Sequence, residues 1–403
     1  MISFLNSKNM EKEIIFSFDN WLLEPDYFAR YYNTHRDWTQ KNIFEKNSNF
    51  DWQSYIECRK KMKWFYGGGT LHGKNYGPWA RHEKLLGLFD LPKINDREHF
   101  NLKYNDVTDS RCRSLLEKHK NQQWMVCWSG GADSTVILAS LIKNTKPADR
   151  ENIIVACNRD SVFEYPSFYF DHVKPNFKVI DLSAAMQNRL NATNNDNSII
   201  VDGNLGDQIQ GNKEHPNLAK EGLYELDVHK NMDAVCEFYI KKYNITKKAS
   251  VWWYNFWMSS IKSADVPVKT FGQFCWWIWY ERQEPTKMRT MSQSGLTPKQ
   301  FQSNHVIWYD CPKYRAWSIS NNLNHPSKQD VWSYKVDAKK YIFELTKDEW
   351  YLNFKQKGYI NASVSPYNKI EEFTAITSDG SRLYETQNLE ELMTLLPKYV
   401  NLF

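Results

Sequence analysis

Serine, two glycines, an aspartate and a second serine stand close together in WMVCWSGGADSTVILASLIKN, Trp124 to Asn144. A short apolar run leads straight into Ser129-Gly130-Gly131, and Asp133 and Ser134 open an apolar-periodic segment. Two glycines let the backbone turn tightly and aim successive N–H groups at one spot, where a helix N-terminus adds partial positive charge. The hydroxyls of Ser129 and Ser134 are further donors, so the turn is read as a phosphate cradle. Asp133 would repel a bare phosphate, and its presence there predicts a Mg2+ ion bridging the carboxylate to a polyphosphate. The Walker loop is excluded, because GxxxxGK[ST] needs a lysine that does not follow these glycines.

SGGADS resembles the SGGxDS signature of the PP-loop, or N-type ATP pyrophosphatase, superfamily. The resemblance implies cleavage between the α and β phosphates of ATP, release of pyrophosphate, and AMP left on an oxygen of the substrate. VDGNLGDQIQGN, Val201 to Asn212, resembles the SGEGxDExxGG segment in the synthetase domain of asparagine synthetases and β-lactam synthetases. Gly203 matches its first glycine, Asp207 its metal-binding aspartate and Gly211 a later glycine. In a parallel sheet both loops leave the carboxyl ends of strands, where ligands of such folds sit. Asp133 and Asp207 are therefore expected to hold one Mg2+ from two sides and neutralise the departing pyrophosphate.

Residues 331–361, VWSYKVDAKKYIFELTKDEWYLNFKQKGYIN, resemble the same family's KxxLR…LP…RxKxGF region. The spacing is off by one, so either Lys355 or Lys357 stands for the lysine that contacts the reacting centre. PP-loop proteins hold the adenine against backbone groups at the end of the second strand, here Ala156 to Asn158. Asn158 is accordingly expected to bind nucleotide. The resemblance runs from Gln123 to Ile360.

Two departures alter what the resemblance implies. Asn204 stands where the family carries a glutamate thought to help with proton transfer or substrate orientation, and Gln208 replaces the next acid. An amide has no accessible pKa near neutrality, so Asn204 cannot be a general base. Deprotonation of an attacking amine must then come from the substrate, a water, or an acid such as Glu281 or Glu284. The chain also begins Met1-Ile2-Ser3, without the cysteine that serves as nucleophile in the family's glutaminase. Nitrogen is expected as ammonia, as a substrate amine, or from a partner.

These residues need a frame. WMVCW (124–128), IIVAC (153–157), FKVID (177–181) and SIIVD (198–202) are short, rich in β-branched residues and bounded by polar turns, which predicts strands. Helices are expected at 133–142, 165–173 and 184–190 between them, and at 233–243, 250–261, 271–282 and from 331 to 343 or beyond. Alternation of this kind predicts an α/β fold, a parallel sheet with helices on both faces. The resemblance makes it adenine nucleotide alpha hydrolase-like, with a helical C-terminal extension and a separate mixed N-terminal region. The expected division is residues 1–120, not a glutaminase; 121–372, the ATP-binding domain; and 373–403, a hairpin around TSDGS followed by the amphipathic LEELMTLL. The glycine-rich FYGGGTLHGKNYG, 65–77, is read as a connecting loop.

Composition excludes some classes. The 403 residues are 41% hydrophobic and 25% charged, and no apolar run reaches the roughly 20 residues that span a bilayer. The N-terminus lacks a signal-peptide pattern, and seven scattered cysteines form no CxxC pair, so reduced thiols in a cytoplasmic protein are expected. The net charge of +5 is dispersed, which does not favour nucleic acid. The aromatic clusters VWWYNFW and FCWWIWY are read as helix packing.

The leading expectation is an AMP-forming ligase using ATP and Mg2+ on a small-molecule substrate and an amine or ammonia donor. The alternatives are a PP-loop enzyme acting on a nucleobase or tRNA, and a nucleotide-binding module without turnover. Oligomeric state is not legible.

Overall fold

The computed structural model describes residues 51–62, 102–181, 197–211, 214–264, 266–283, 286–287, 290, 298–324, 335–355, 373–376 and 382–386. The described residues fall into two compact units. One draws on Met1–Asp90, Cys236–Ser263 and Arg282–His305, the other on Leu91–Val235, Ala264–Glu281 and Val306–Phe403.

The larger unit carries a five-stranded, all-parallel sheet of β1 (Gln123–Cys127), β2 (Ile153–Cys157), β3 (Lys178–Asp181), β4 (Ser198–Asp202) and β5 (His305–Ile307), in the order β3-β2-β1-β4-β5. β-Branched and aromatic residues form these strands because they suit a pleated, covered surface. Consecutive residues Ile199, Ile200 and Val201 are all at most 1% exposed. Since neighbouring side chains point to opposite faces, the strand is covered on both sides. Register is set with Val126 beside Val155 on one side and Val201 on the other.

The strand order places a reversal at β1. From β1 the chain proceeds outward to β2 and β3, then returns to lay β4 against the other edge of β1. The carboxyl ends of β1 and β4 therefore flank the topological switch point, the place where open α/β sheets bind ligands.

Helices join these strands. α1 (Trp52–Lys61) precedes α2 (Tyr104–Lys118); α3 (Ala132–Asn144) follows β1, and α4 (Arg159–Glu164) follows β2. α5 (Gly206–Gln210) follows β4, then come α6 (Glu214–Lys220), α7 (Met232–Tyr243), α8 (Lys247–Ala264) and α9 (Phe271–Tyr280). The last are α10 (Pro298–Asn304), α11 (Pro312–Asn324), α12 (Val336–Thr346) and α13 (Glu349–Phe354). α2, α3 and α12 pack on one another, while α5 and α6 pack on α9. The FCWWIWY aromatics lie in α9, where Trp276 and Trp277 are fully buried, as packing requires.

One expected helix is broken. Across 165–173, Pro166 forces the preceding Tyr165 out of the helical region, to φ −149, so α4 stops at Glu164. A three-residue helical turn and a π-turn at Tyr169–Val173 fill the remainder. α12 begins at Val336. The helix expected at 184–190, the FYGGGTLHGKNYG loop and LEELMTLL lie outside the described residues, as does the TSDGS turn. Its flanks, β6 (Phe373–Ile376) and β7 (Arg382–Thr386), pair antiparallel, as a hairpin does.

In the smaller unit, Glu57 of α1 accepts from the backbone N–H of Thr246 at 2.6 Å and from its hydroxyl at 2.8 Å, at the entry of α8. The Cys58 thiol donates to the Ala249 carbonyl at 3.5 Å. Among the described residues no helix is long and apolar enough to cross a membrane.

Candidate functional site

The turn after β1 has the predicted form. Gly130 adopts φ +76, and a methyl there would lie 2.3 Å from the Ser161 carbonyl oxygen, so only glycine fits. Gly131 is the N-cap of α3 and brings no side chain to its first-turn amides. Those donors and the helix dipole suit an anion. The two serines brace the loop: Ser134 Oγ accepts from the Ser129 amide at 3.0 Å and lies 3.0 Å from Ser129 Oγ.

Asp133, in the first turn of α3, is held at both carboxylate oxygens and at its backbone carbonyl. Gln210 donates Nε2 to Oδ1 at 3.0 Å, and Lys335 Nζ donates to Oδ2. The Tyr309 hydroxyl donates to its backbone carbonyl at 3.2 Å. Burial, and next the Asp133 charge, push the Tyr309 phenol well above its ordinary range, which keeps it a donor. Tyr104 lies behind it, hydroxyl to hydroxyl at 3.4 Å.

Asp207, in the first turn of α5, meets the same ammonium: Lys335 Nζ lies 2.7 Å from Asp207 Oδ1. The two aspartates expected to converge thus do so, with Lys335 between them. Close backbone approach makes this feasible, since a methyl on Gly206 would fall 2.2 Å from Asp133 Cγ. Gly203 accepts the Gly206 N–H at 3.3 Å and shapes the turn into α5. Gly211 ends that helix, donating to the Asp207 carbonyl at 3.1 Å. Leu205 sits between them at φ 71, a left-handed conformation that costs a branched-chain residue about 1–2 kcal/mol.

Asn204 has a structural occupation. Its backbone N–H donates to Asp202 Oδ1 at 2.9 Å and its Nδ2 to Asp202 Oδ2 at 2.8 Å. Asp202 is 5% exposed, and these two donors satisfy a buried carboxylate. Asn158 is likewise engaged, as N-cap of α4, its Oδ1 accepting the Ser161 amide at 2.9 Å and hydroxyl at 2.8 Å. It stands at the carboxyl end of β2, as expected, with its side chain turned to its own helix.

Lys355 follows α13 and pairs with Glu164 Oε1 at 3.0 Å, side chains 9% and 8% exposed. Glu164 lies against the Gly130–Gly131 turn: a methyl on Gly130 would be 2.8 Å from its Cβ, and one on Gly131 3.4 Å from its Oε1. Through Glu164, Lys355 is therefore tied to the Gly130–Gly131 turn. Lys357 and Glu284 lie outside the described residues, and Glu281 is fully buried after α9.

Sequence reasoning did not single out Lys335, Gln210, Glu164 or Tyr309. Lys335 and Gln210 stand in the segments 331–361 and 201–212, but nothing in their spacing names a partner. Among the described residues no group of three or more His, Cys, Asp or Glu converges to hold a metal. Searches of family models, curated proteins and solved structures return no match to this chain.

Proposed function

We propose that the chain is an AMP-forming, ATP-dependent ligase of the PP-loop kind, which adenylates a small-molecule substrate and passes it to an amine or ammonia. The observation that carries this reading is the meeting of Asp133 and Asp207 on one cation, beside the glycine turn, at the switch point of a parallel sheet. An anion cradle with two carboxylates at its mouth makes chemical sense when a polyphosphate and a divalent cation arrive together.

The donor set fits Mg2+, which takes hard oxygen from one or two carboxylates and completes its shell with phosphate and water. Asp133 and Asp207 would hold it, and bound there it would neutralise negative charge on the departing pyrophosphate. The chain's own residues do the rest of the positioning: the first turn of α3 receives phosphate, Gln210 fixes Asp133, and Lys355 supplies a second buried ammonium near the turn. The fully described cysteines are free thiols, which accords with a cytoplasmic setting. The sheet with its flanking helices accords with an adenine nucleotide alpha hydrolase-like core, and the helices after β4 with a C-terminal extension.

Incubation with ATP, Mg2+ and a metabolite extract, followed by mass spectrometry, tests the reading. AMP, pyrophosphate and a new adenylate or amide are expected, and all should vanish in Asp133→Asn, whose fold is retained because the N–H cradle does not depend on the carboxylate. Absence of both ATP binding and AMP formation in the unaltered protein would refute it.

A further inference from the structure

Lys335 stands where neither helix electrostatics nor backbone preference would put a lysine. It precedes the first turn of the eleven-residue helix α12, at the positive end of the dipole, in a left-handed conformation with φ 57 and no side-chain cap. Its side chain is 7% exposed, and its ammonium contacts both Asp133 Oδ2 and Asp207 Oδ1. Strained, electrostatically opposed positions persist where the surroundings over-determine them, and here two carboxylates do so.

We propose that Lys335 is the resident cation of the Asp133–Asp207 pair, and that a divalent ion enters this pair only in company with a polyphosphate. The proposal rests on the nucleotide reading given above and adds an order of binding to it. The two carboxylates and the ammonium leave the triad with one net negative charge. A bare divalent ion that took both oxygens would strip the buried ammonium of its counter-charges and leave two cations side by side. A polyphosphate removes both penalties, because its oxygens ligate the ion and accept from the displaced ammonium. The ligand recognised is therefore the metal–nucleotide chelate, and free metal is turned away.

Mn2+, which prefers the same oxygen ligands as Mg2+ and is visible by electron paramagnetic resonance, is the probe. Titration of the full chain should show tight retention of Mn2+ with ATP and weak retention of Mn2+ alone. Lys335→Met should strengthen retention of free Mn2+ by about tenfold or more, as expected when an opposing buried cation is removed. Adding Asp207→Asn to that variant should abolish the gain, and Lys335→Arg should keep free Mn2+ out. Equal affinity for free Mn2+ in the unaltered protein and in Lys335→Met overturns the order of binding while leaving the nucleotide reading in place. Should Lys335→Met fail to fold, the unaltered protein still decides, since free Mn2+ held as tightly as Mn2+ with ATP contradicts the proposal. Failure of Mn2+ with ATP to bind the unaltered protein overturns the nucleotide reading itself, and the inference with it.

Discussion

Lys355 and Glu164 form a buried ion pair, Nζ to Oε1 at 3.0 Å, that braces the back of the Gly130–Gly131 turn. Among the described residues nothing donates to Glu164 Oε2, so Lys355 is the partner that makes this carboxylate tolerable. Lys355→Met alone is expected to destabilise the protein by about 3–5 kcal/mol, because it leaves an uncompensated buried charge. Glu164→Gln should cost less, the amide retaining an acceptor for the ammonium. The double variant should recover much of the loss in chemical denaturation, the non-additivity that marks a contacting pair. Additive losses would show that the two side chains act independently.

Gly206→Ala tests the close approach of the two loops. The added methyl would lie 2.2 Å from Asp133 Cγ, so the Asp133 carboxylate must move away from Lys335 and Gln210. Affinity for ATP with Mg2+ should fall by more than about tenfold, since a shift of this kind removes correctly placed oxygen from a geometrically strict ion. Calorimetric titration reads the loss, and unchanged affinity would mean that Asp133 does not serve the ligand.

Asn204→Glu is expected to destabilise the chain. Asn204 gives two donors to buried Asp202, and a glutamate in its place would lose the side-chain donor and face a second carboxylate. Loss of one buried hydrogen bond and creation of like-charge contact should together cost about 2–4 kcal/mol. Chemical denaturation at pH 7 reads the loss. A variant as stable as the parent at pH 7 would remove this account of position 204.

Burial raises the thiols of Cys58, Cys112 and Cys157 from an ordinary 9.0 to about 12. Their folded pKa exceeds the unfolded value, so their contribution to stability is complete below pH 9 and is lost as pH rises from there toward 12. In native protein at pH 8 these three should resist alkylation, while partly exposed Cys127 reacts. Mass spectrometry of the alkylated protein distinguishes them, and rapid labelling of Cys157 would contradict its burial.

The parts of the fold that were legible are those whose information is local. IIVAC and SIIVD became β2 and β4 at their expected bounds because a short β-branched run between polar turns has few alternatives. β5 was not read, since three residues, His305 to Ile307, carry no alternation and become a strand only by lying beside β4. Ser129, Gly130 and Gly131 declared a turn through their own backbone requirements. Asp133 and Asp207 could be paired only by adding a parallel topology to the two motifs. Lys335 and Glu164 were invisible because each acquires its meaning from a residue about two hundred positions away or across a helix end. The Asn204 assignment depended on Asp202, two residues back, whose burial the sequence does not announce.

The separation of the triad along the chain bears on how the protein comes into being. Asp133 and Lys335 are 202 residues apart, and Gln210 lies 77 residues from the aspartate it steadies. Such contacts close large loops and form after local helices, because the entropy of closure must be met before they return anything. β4 must also pair with β1 before Asp207 can approach. A nascent chain with its glycine turn already shaped would still lack this cation trap until the segment carrying Lys335 had left the ribosome and docked. Under the proposed function, retention of the metal–nucleotide chelate would accordingly report finished assembly, distinguishing a completed molecule from one that has merely collapsed.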